Sequence, residues 1–303
     1  MKRIGTFFIL LGLLLCIGGY KKEIMNFLIH NLIGTVEVDL KTKNEYYLDY
    51  KFNYIENVEE FSIANKKDLL NLYYTVINSG TSTFEFHCPE SYTRCIKDVV
   101  DIANNQNYLS DINGFVHPFN SFDTVETTYD SLGRVKLKIV KTYTDVEIEE
   151  LNKKVKEIIT NEVKNKKESR EIIKIIHDYI INNTVYDKLR ADDNVIKYSS
   201  NTAYGVLFEG YGICSGYADA MALFLNYYKI PNYKVVSQNH VWNAVYLDDK
   251  WYHLDLTWDD PISDDGKEIL DYTYFLITDD ELKEINDAQH KYDATIFSEF
   301  VTE

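Results

Sequence analysis

Cys214 lies where a glycine-rich stretch gives way to a predicted helix. Four glycines occur between Gly205 and Gly216, and after them the apolar residues recur at helical spacing up to a stop at Pro231. The apolar positions are Ala218, Met221, Ala222 and Leu225. A cysteine in the first turn of a helix lies at the positive end of the helix dipole, which favours the thiolate. Cys214 is therefore predicted to be a nucleophile.

His240 and Asp255 follow on two segments that alternate like strands. The turn residues 247–250 between them predict an antiparallel hairpin, so both side chains can point to the same face. A carboxylate that binds one imidazole nitrogen fixes the tautomer and leaves the other nitrogen free to take the thiol proton. Cys214, His240 and Asp255 thus form a candidate catalytic triad for acyl transfer.

Other residues whose side chains could take part in catalysis or metal binding have simpler interpretations. His253 shares a strand face with Asp255, so it is either a neighbour of the site or a structural residue. The remaining histidines considered are interpreted as structural, namely His87, His117, His177 and His290. Tryptophans at strand spacing are more typical of a core than of a cleft, and this applies to Trp242, Trp251 and Trp258. The acidic pairs after Asp255 lack the spacing of a calcium loop, so no metal site is predicted.

The elements before this region predict a small α+β domain over residues 35–143. Loose alternation favours strands over 35–54, helical spacing favours helices over 67–78 and 92–104, and short strands are expected at 83–86 and 135–143. Residues 145–166 and 169–182 then predict two amphipathic helices, the first with Thr144 as N-cap and Glu147 as its capping-box partner. The domain boundary is placed here, with a second domain over 144–303.

Residues 1–34 are interpreted as an N-terminal signal or membrane anchor with a linker. Lys2 and Arg3 precede an apolar run over residues 4–19, and two lysines follow it. The run is slightly short for a membrane span, so an uncleaved anchor and a cleaved signal peptide both remain open. The expected location is membrane-anchored with an extracellular body, or secreted if the segment is removed.

Composition limits the class of protein. The chain has 303 residues, 45% of them hydrophobic, which is enough for a full core. Its net charge of −16 repels a phosphate backbone, so nucleic acid is not an expected partner. Cys88 and Cys95, seven residues apart, are expected to form a disulfide if the body is exported.

Three ordered motifs make the chain resemble the bacterial transglutaminase-like superfamily. They are residues 212–218 around Cys214, 240–243 beginning at His240, and 251–261 around Asp255. The resemblance covers roughly residues 145–300. It implies an α+β, papain-like core in which the helix bearing the cysteine packs on an antiparallel sheet, with no cofactor. It also implies an oxyanion donor upstream of the cysteine, for which Tyr186 is the candidate, with Tyr204 and Asn201 behind it.

The resemblance implies thiol-dependent acyl transfer on peptide or side-chain amides through a thioester. Hydrolysis, as in a cysteine peptidase, is the favoured outcome. The alternatives are a cross-linking transglutaminase, which joins glutamine to lysine, and a non-catalytic surface binding module. The expected partner is a protein or peptide substrate, at the cell surface or wall, and the N-terminal segment is expected to contact the membrane.

Overall fold

The computed structural model of the chain describes residues 43–59, 62–261 and 269–300. The hydrophobic anchor expected over residues 1–34 lies outside these ranges. Among the helices within them, none combines the length and the apolar character that crossing a bilayer requires.

The first part of the described chain combines helices with a three-stranded antiparallel sheet in the order β1-β3-β2. Its elements are α1 (Lys66–Asn78), β1 (Thr83–His87), α2 (Cys95–Asn104), α3 (Gln106–Gly114), β2 (Phe122–Tyr129) and β3 (Arg134–Lys141). Along β3, buried Val135, Leu137 and Ile139 alternate with exposed residues, as period-two spacing predicted.

The strands expected over residues 35–54 are wrong for the part that the structure describes. Residues 43–54 contain no regular strand. The backbone N–H of Leu48 donates to Oδ1 of Asn78 at 3.0 Å, and that of Asn53 donates to Oε1 of Glu299 at 2.8 Å. Side-chain acceptors thus replace a neighbouring strand, while the aromatic side chain of Phe52 is still buried in the core.

The expected disulfide between Cys88 and Cys95 is confirmed. The bond joins the residue after β1 to the first residue of α2, and the two Cα atoms are 5.6 Å apart. This separation lies within the usual range for a disulfide.

The second part contains a four-stranded antiparallel sheet in the order β6-β7-β8-β9 and a short parallel pair, β4 and β5. Its elements are α4 (Asp145–Ile158), α5 (Ser169–Asn182), β4 (Val185–Tyr186), α6 (Lys188–Asp193), β5 (Tyr211–Gly212), α7 (Cys214–Tyr227), β6 (Asn232–Val236), β7 (Val241–Leu247), β8 (Lys250–Leu254), β9 (Phe275–Ile277) and α8 (Asp279–Ile285). The predicted α+β class and the Thr144–Glu147 capping box are confirmed.

Helix α7 packs on the antiparallel sheet, as the sequence predicted. Its buried side chains Met221 and Phe224 share a hydrophobic cluster with Val245 of β7 and Leu254 of β8. The side-chain amide of Asn243 on β7 donates to the backbone carbonyl of Ala218 at 3.0 Å. Helix and sheet are therefore joined by apolar packing and by a directional hydrogen bond.

Apolar packing crosses the predicted domain boundary at residue 143. The cluster that contains α1 and β1–β3 also includes Tyr233 and Val235 of β6, Trp242 of β7 and Phe297. The division into domains stays a prediction, and this shared cluster ties the first sheet to the second.

A buried polar network also joins the two regions. The hydroxyl of Tyr143 donates to Oδ2 of Asp219 on α7 at 2.7 Å and accepts the backbone N–H of Ala203 at 2.8 Å. Lys234 of β6 binds Oδ1 of the same carboxylate at 2.5 Å. All three side chains are nearly inaccessible to solvent, so each polar atom depends on the others.

Replacing Tyr143 with phenylalanine should lower the free energy of unfolding by about 2–3 kcal/mol, because one hydroxyl serves a buried carboxylate and a buried N–H. Urea unfolding followed by far-UV circular dichroism measures the change. Tyr129→Phe on β2, where the side chain is 54% exposed, is the matched control and should change stability little. Equal stability of the two variants would contradict the role of this network.

Candidate active site

Cys214 is the first residue of α7, and its side chain is half-buried. The residue before it, Ile213, has an extended backbone and a side chain that cannot accept a hydrogen bond, so no side chain caps this helix start. The first N–H groups of a helix have no intrahelical acceptor. The thiol therefore lies beside backbone donors and the positive end of a 14-residue helix.

The loop over residues 199–202 packs tightly against this helix start. The backbone N–H of Ile213 donates to the carbonyl of Ser200 at 2.8 Å, and the hydroxyl of Ser215 donates to the carbonyl of Asn201 at 2.9 Å. A Cβ at Gly216 would lie 2.3 Å from the Ser200 oxygen. Glycine is required there because backbone atoms occupy the space of a side chain.

His240 and Asp255 lie at the open end of the β7–β8 hairpin. His240 immediately precedes β7 and Asp255 immediately follows β8. Asn243 pairs with Leu254, so the register places His240 and Asp255 diagonally on one face. Nε2 of His240 is 2.5 Å from Oδ2 of Asp255, and both side chains are buried. The structure therefore brings together the pair that the sequence placed on one face.

His240 and Asp255 each favour the charged form of the other. Burial opposes protonation of His240, but the Asp255 carboxylate and a hydrogen bond with the Cys214 thiol raise the pKa of His240 to about 10. Burial likewise opposes ionisation of Asp255, yet His240 and His290 hold its pKa well below the usual range. Asp255 occupies Nε2 of His240, so Nδ1 is the nitrogen left for the thiol. A thiolate at Cys214 would thus face an imidazolium.

His290 is a contact of the site that the sequence analysis interpreted as structural. Its Nε2 is 2.8 Å from Oδ2 of Asp255, the same oxygen that contacts His240. Its Nδ1 is 2.7 Å from Oδ2 of Asp287. Asp287 is a residue type that favours a local Asx turn, but nothing in the sequence connects that turn with Asp255.

His253 does not contact the pair directly. Its Nδ1 accepts the indole N–H of Trp242 at 3.0 Å, and burial lowers the pKa of His253. The Trp242 indole, 1% exposed, stacks on the His240 ring with centroids 5.6 Å apart. His253 is therefore a neutral ring behind Trp242, and Trp242 is a core residue that supports His240.

Tyr186 lies close to the thiol. Residue 186 of β4 pairs with Gly212 of β5, two positions before Cys214. Burial raises the pKa of Tyr186, and the neighbouring Cys214 adds to this effect, so its hydroxyl keeps its proton at neutral pH. Of the other two candidates, the Tyr204 ring stacks on Phe208, and the backbone carbonyl of Asn201 accepts the hydroxyl of Ser215.

Three side chains at the site are of types that can bind a metal ion. Ligand atoms of His240, Asp255 and His290 lie within 4.8 Å of one another. These atoms already hydrogen-bond through Oδ2 of Asp255, so a cation there would have to displace both hydrogen bonds. The arrangement of the three side chains is that of two imidazoles hydrogen-bonded to one carboxylate oxygen.

Comparisons with known proteins agree with the motifs. Residues 156–256 match the Transglutaminase-like superfamily, and this range contains Cys214, His240 and Asp255. This part of the chain is similar to that superfamily. No curated protein matches the chain.

Two solved structures are similar to parts of the chain. The first, "Crystal structure of a TGase", shares 17% identity over 45% of this chain and 44% of its own, with a TM-score of 0.32. The second, described as "a Putative Cysteine Protease from Cytophaga hutchinsonii", shares 15% identity over 50% of this chain and 68% of its own, with a TM-score of 0.29. The chain thus spans less than half the length of the first structure.

Replacing Asp255 with asparagine should lower the pKa of His240 from about 10, because the effect of burial is then opposed only by the contact with Cys214. Titration of the His240 imidazole by NMR measures this shift. His253→Ala is the control and should leave His240 protonated at neutral pH, since His253 does not contact Asp255. A His240 pKa that stays near 10 in Asp255→Asn would contradict the proposed source of its charge.

Proposed function

We propose that the region predicted as residues 144–303 catalyses thiol-dependent acyl transfer on amides of proteins or peptides, with hydrolysis as its main outcome. The observation that carries the proposal is the chain of contacts from Cys214 to His240 to Asp255. The thiol lies at a helix N-terminus, the imidazole contacts it, and a buried carboxylate 2.5 Å from Nε2 fixes that imidazole. The match of residues 156–256 to the transglutaminase-like superfamily supports the same chemistry.

In the first step, the Sγ thiolate of Cys214 attacks the amide carbonyl carbon, and the carbonyl electrons move to oxygen. The backbone N–H of Cys214 and the hydroxyl of Tyr186 would donate hydrogen bonds to that oxyanion. As the C–N bond breaks, Nδ1 of His240 gives its proton to the leaving amine. The product of this step is a thioester on Cys214.

In the second step, neutral His240 takes a proton from the acceptor as the acceptor attacks the thioester. Water yields a carboxylic acid and releases the Cys214 thiolate, whereas a lysine amine would yield a cross-link and release the same thiolate. Asp255 stabilises the imidazolium that forms again. We favour water because it reaches a half-buried thiol without a dedicated acceptor site.

The disulfide is consistent with an extracellular setting for this reaction. Disulfides persist mainly in oxidising compartments such as the cell exterior. The Cys88–Cys95 bond therefore supports a location where surface or wall proteins are the available substrates.

Incubation of the wild-type chain with casein and a fluorescent primary amine separates the possible outcomes. Hydrolysis predicts peptide fragments or conversion of glutamine to glutamate, detected by mass spectrometry. Amine transfer predicts covalent fluorescence on casein instead. Cys214→Ala should reduce either product by about 10³-fold or more, because it removes the nucleophile.

Ser131→Ala, in the exposed turn between β2 and β3, is the matched control for this experiment and should keep full activity. The same assay is repeated with several other unstructured protein substrates. If neither the wild type nor Cys214→Ala modifies any of them, the non-catalytic binding module is favoured instead.

A further inference from the structure

We infer that His290 is a positioning residue of the thiol site, which acts through Asp255 by holding that carboxylate between two imidazole rings. The inference rests on the proposed function, but its structural part can be measured without any substrate. His290 lies outside residues 156–256, the range that matches the superfamily.

The hydrogen bonds of Asp255 show how it is held. Oδ2 contacts Nε2 of His240 at 2.5 Å and Nε2 of His290 at 2.8 Å. Oδ1 accepts the backbone N–H groups of Thr257 at 2.8 Å and Trp258 at 3.3 Å. The carboxylate is 2% exposed, so each contact replaces water that the charge has lost.

The other end of the His290 ring contacts a second carboxylate. Nδ1 is 2.7 Å from Oδ2 of Asp287, whose Oδ1 accepts the backbone N–H of His290 at 3.0 Å. Each ring nitrogen of His290 thus faces a carboxylate oxygen. His240, Asp255, His290 and Asp287 therefore form a row in which imidazoles and carboxylates alternate.

The His290 ring is held by aromatic neighbours on several sides. It stacks on Tyr274 with centroids 4.5 Å apart and meets Trp242 edge-on at 4.8 Å and Trp258 at 5.4 Å. The Tyr274 hydroxyl also donates to Oδ2 of Asp287 at 3.2 Å. A ring fixed in this way restricts the rotation of the Asp255 carboxylate that it contacts.

This arrangement affects the nucleophile through two steps. Fixing Oδ2 of Asp255 fixes Nε2 of His240, and so directs Nδ1 at the thiol. The hydrogen bond with His290 also helps to keep Asp255 ionised in a buried setting, which the imidazolium of His240 requires. Loss of His290 should therefore weaken the His240 hydrogen bond and the reactivity of Cys214.

His177 provides a matched control. It is also a fully buried histidine between two aspartates, with Nδ1 3.0 Å from Asp178 and Nε2 3.1 Å from Asp259. Its ring stacks on Tyr272, at 5.4 Å. Among the described residues it makes no hydrogen bond to Cys214, His240 or Asp255, so it matches His290 in burial and chemistry but not in position.

The experiment compares His290→Phe, which keeps the ring packing, with His290→Gln, which keeps a neutral donor, and with His177→Phe. Two readouts are the pH dependence of Cys214 alkylation by iodoacetamide, followed on the Cys214 peptide, and the far-downfield NMR resonance of the His240 Nε2 proton. His290→Phe should slow alkylation at neutral pH by about 10-fold or more, the equivalent of one hydrogen bond to a charged group. It should also broaden or shift the His240 resonance.

His290→Gln should recover part of the alkylation rate, and His177→Phe should leave both readouts as in the wild type even if its melting temperature falls. If His290→Phe does not fold, His290→Gln and Asp287→Asn are compared with His177→Phe instead. His290→Gln and Asp287→Asn each keep a neutral polar side chain in place, so their readouts test the role of His290. A wild-type alkylation profile and an unchanged His240 resonance in the folded His290 variants would overturn the inference. Altered readouts without turnover of any substrate would support the inference while the proposed function fails.

Discussion

The arrangement of the site depends on one buried charge, the carboxylate of Asp255. Taking an ion out of water costs several kcal/mol unless hydrogen bonds and an opposite charge replace the solvent. Asp255 receives two backbone N–H groups and two imidazoles. The requirement to satisfy this one group explains why a strand end, a following turn and a later loop meet at the same point.

A tight hairpin turn and a contact between sheet and helix place His240, Asp255 and Cys214 close together. The hairpin turn uses Asp248 and Asp249, both with positive φ, which is the conformation of a tight two-residue turn. That turn fixes the β7–β8 register and hence the diagonal placement of His240 and Asp255. The bond from Asn243 to Ala218 then ties the sheet to the helix that carries Cys214.

The local parts of this arrangement could be predicted from the sequence. Helix α5 was expected over 169–182 and occupies Ser169–Asn182, because its apolar residues follow a clear helical period. The hairpin and the helix beginning at Cys214 were predicted from turn residues, glycines and periodicity within short windows. The motifs around Cys214, His240 and Asp255 each lie in one such window.

The contacts that the sequence did not predict depend on distant partners. His290 contacts Asp255 across 35 residues, and no periodic pattern connects them. Residues 43–54 have the alternation of a strand, yet Asn78 and Glu299 accept the backbone N–H groups of Leu48 and Asn53, and Glu299 lies 246 residues from Asn53. In both cases a side chain from elsewhere decides the structure, which local spacing cannot reveal.

The most direct test of the central claim is to trap the acyl group. The chain is mixed with a nitrophenyl ester of a short acylated peptide, quenched in acid within milliseconds to seconds, and analysed by intact mass and peptide mapping. The account predicts one acyl group on the wild type, located on Cys214, slower acylation in Asp255→Asn, and none in Cys214→Ala. Acylation of Cys214→Ala to the same extent, or an acyl group on another residue of the wild type, would contradict the account.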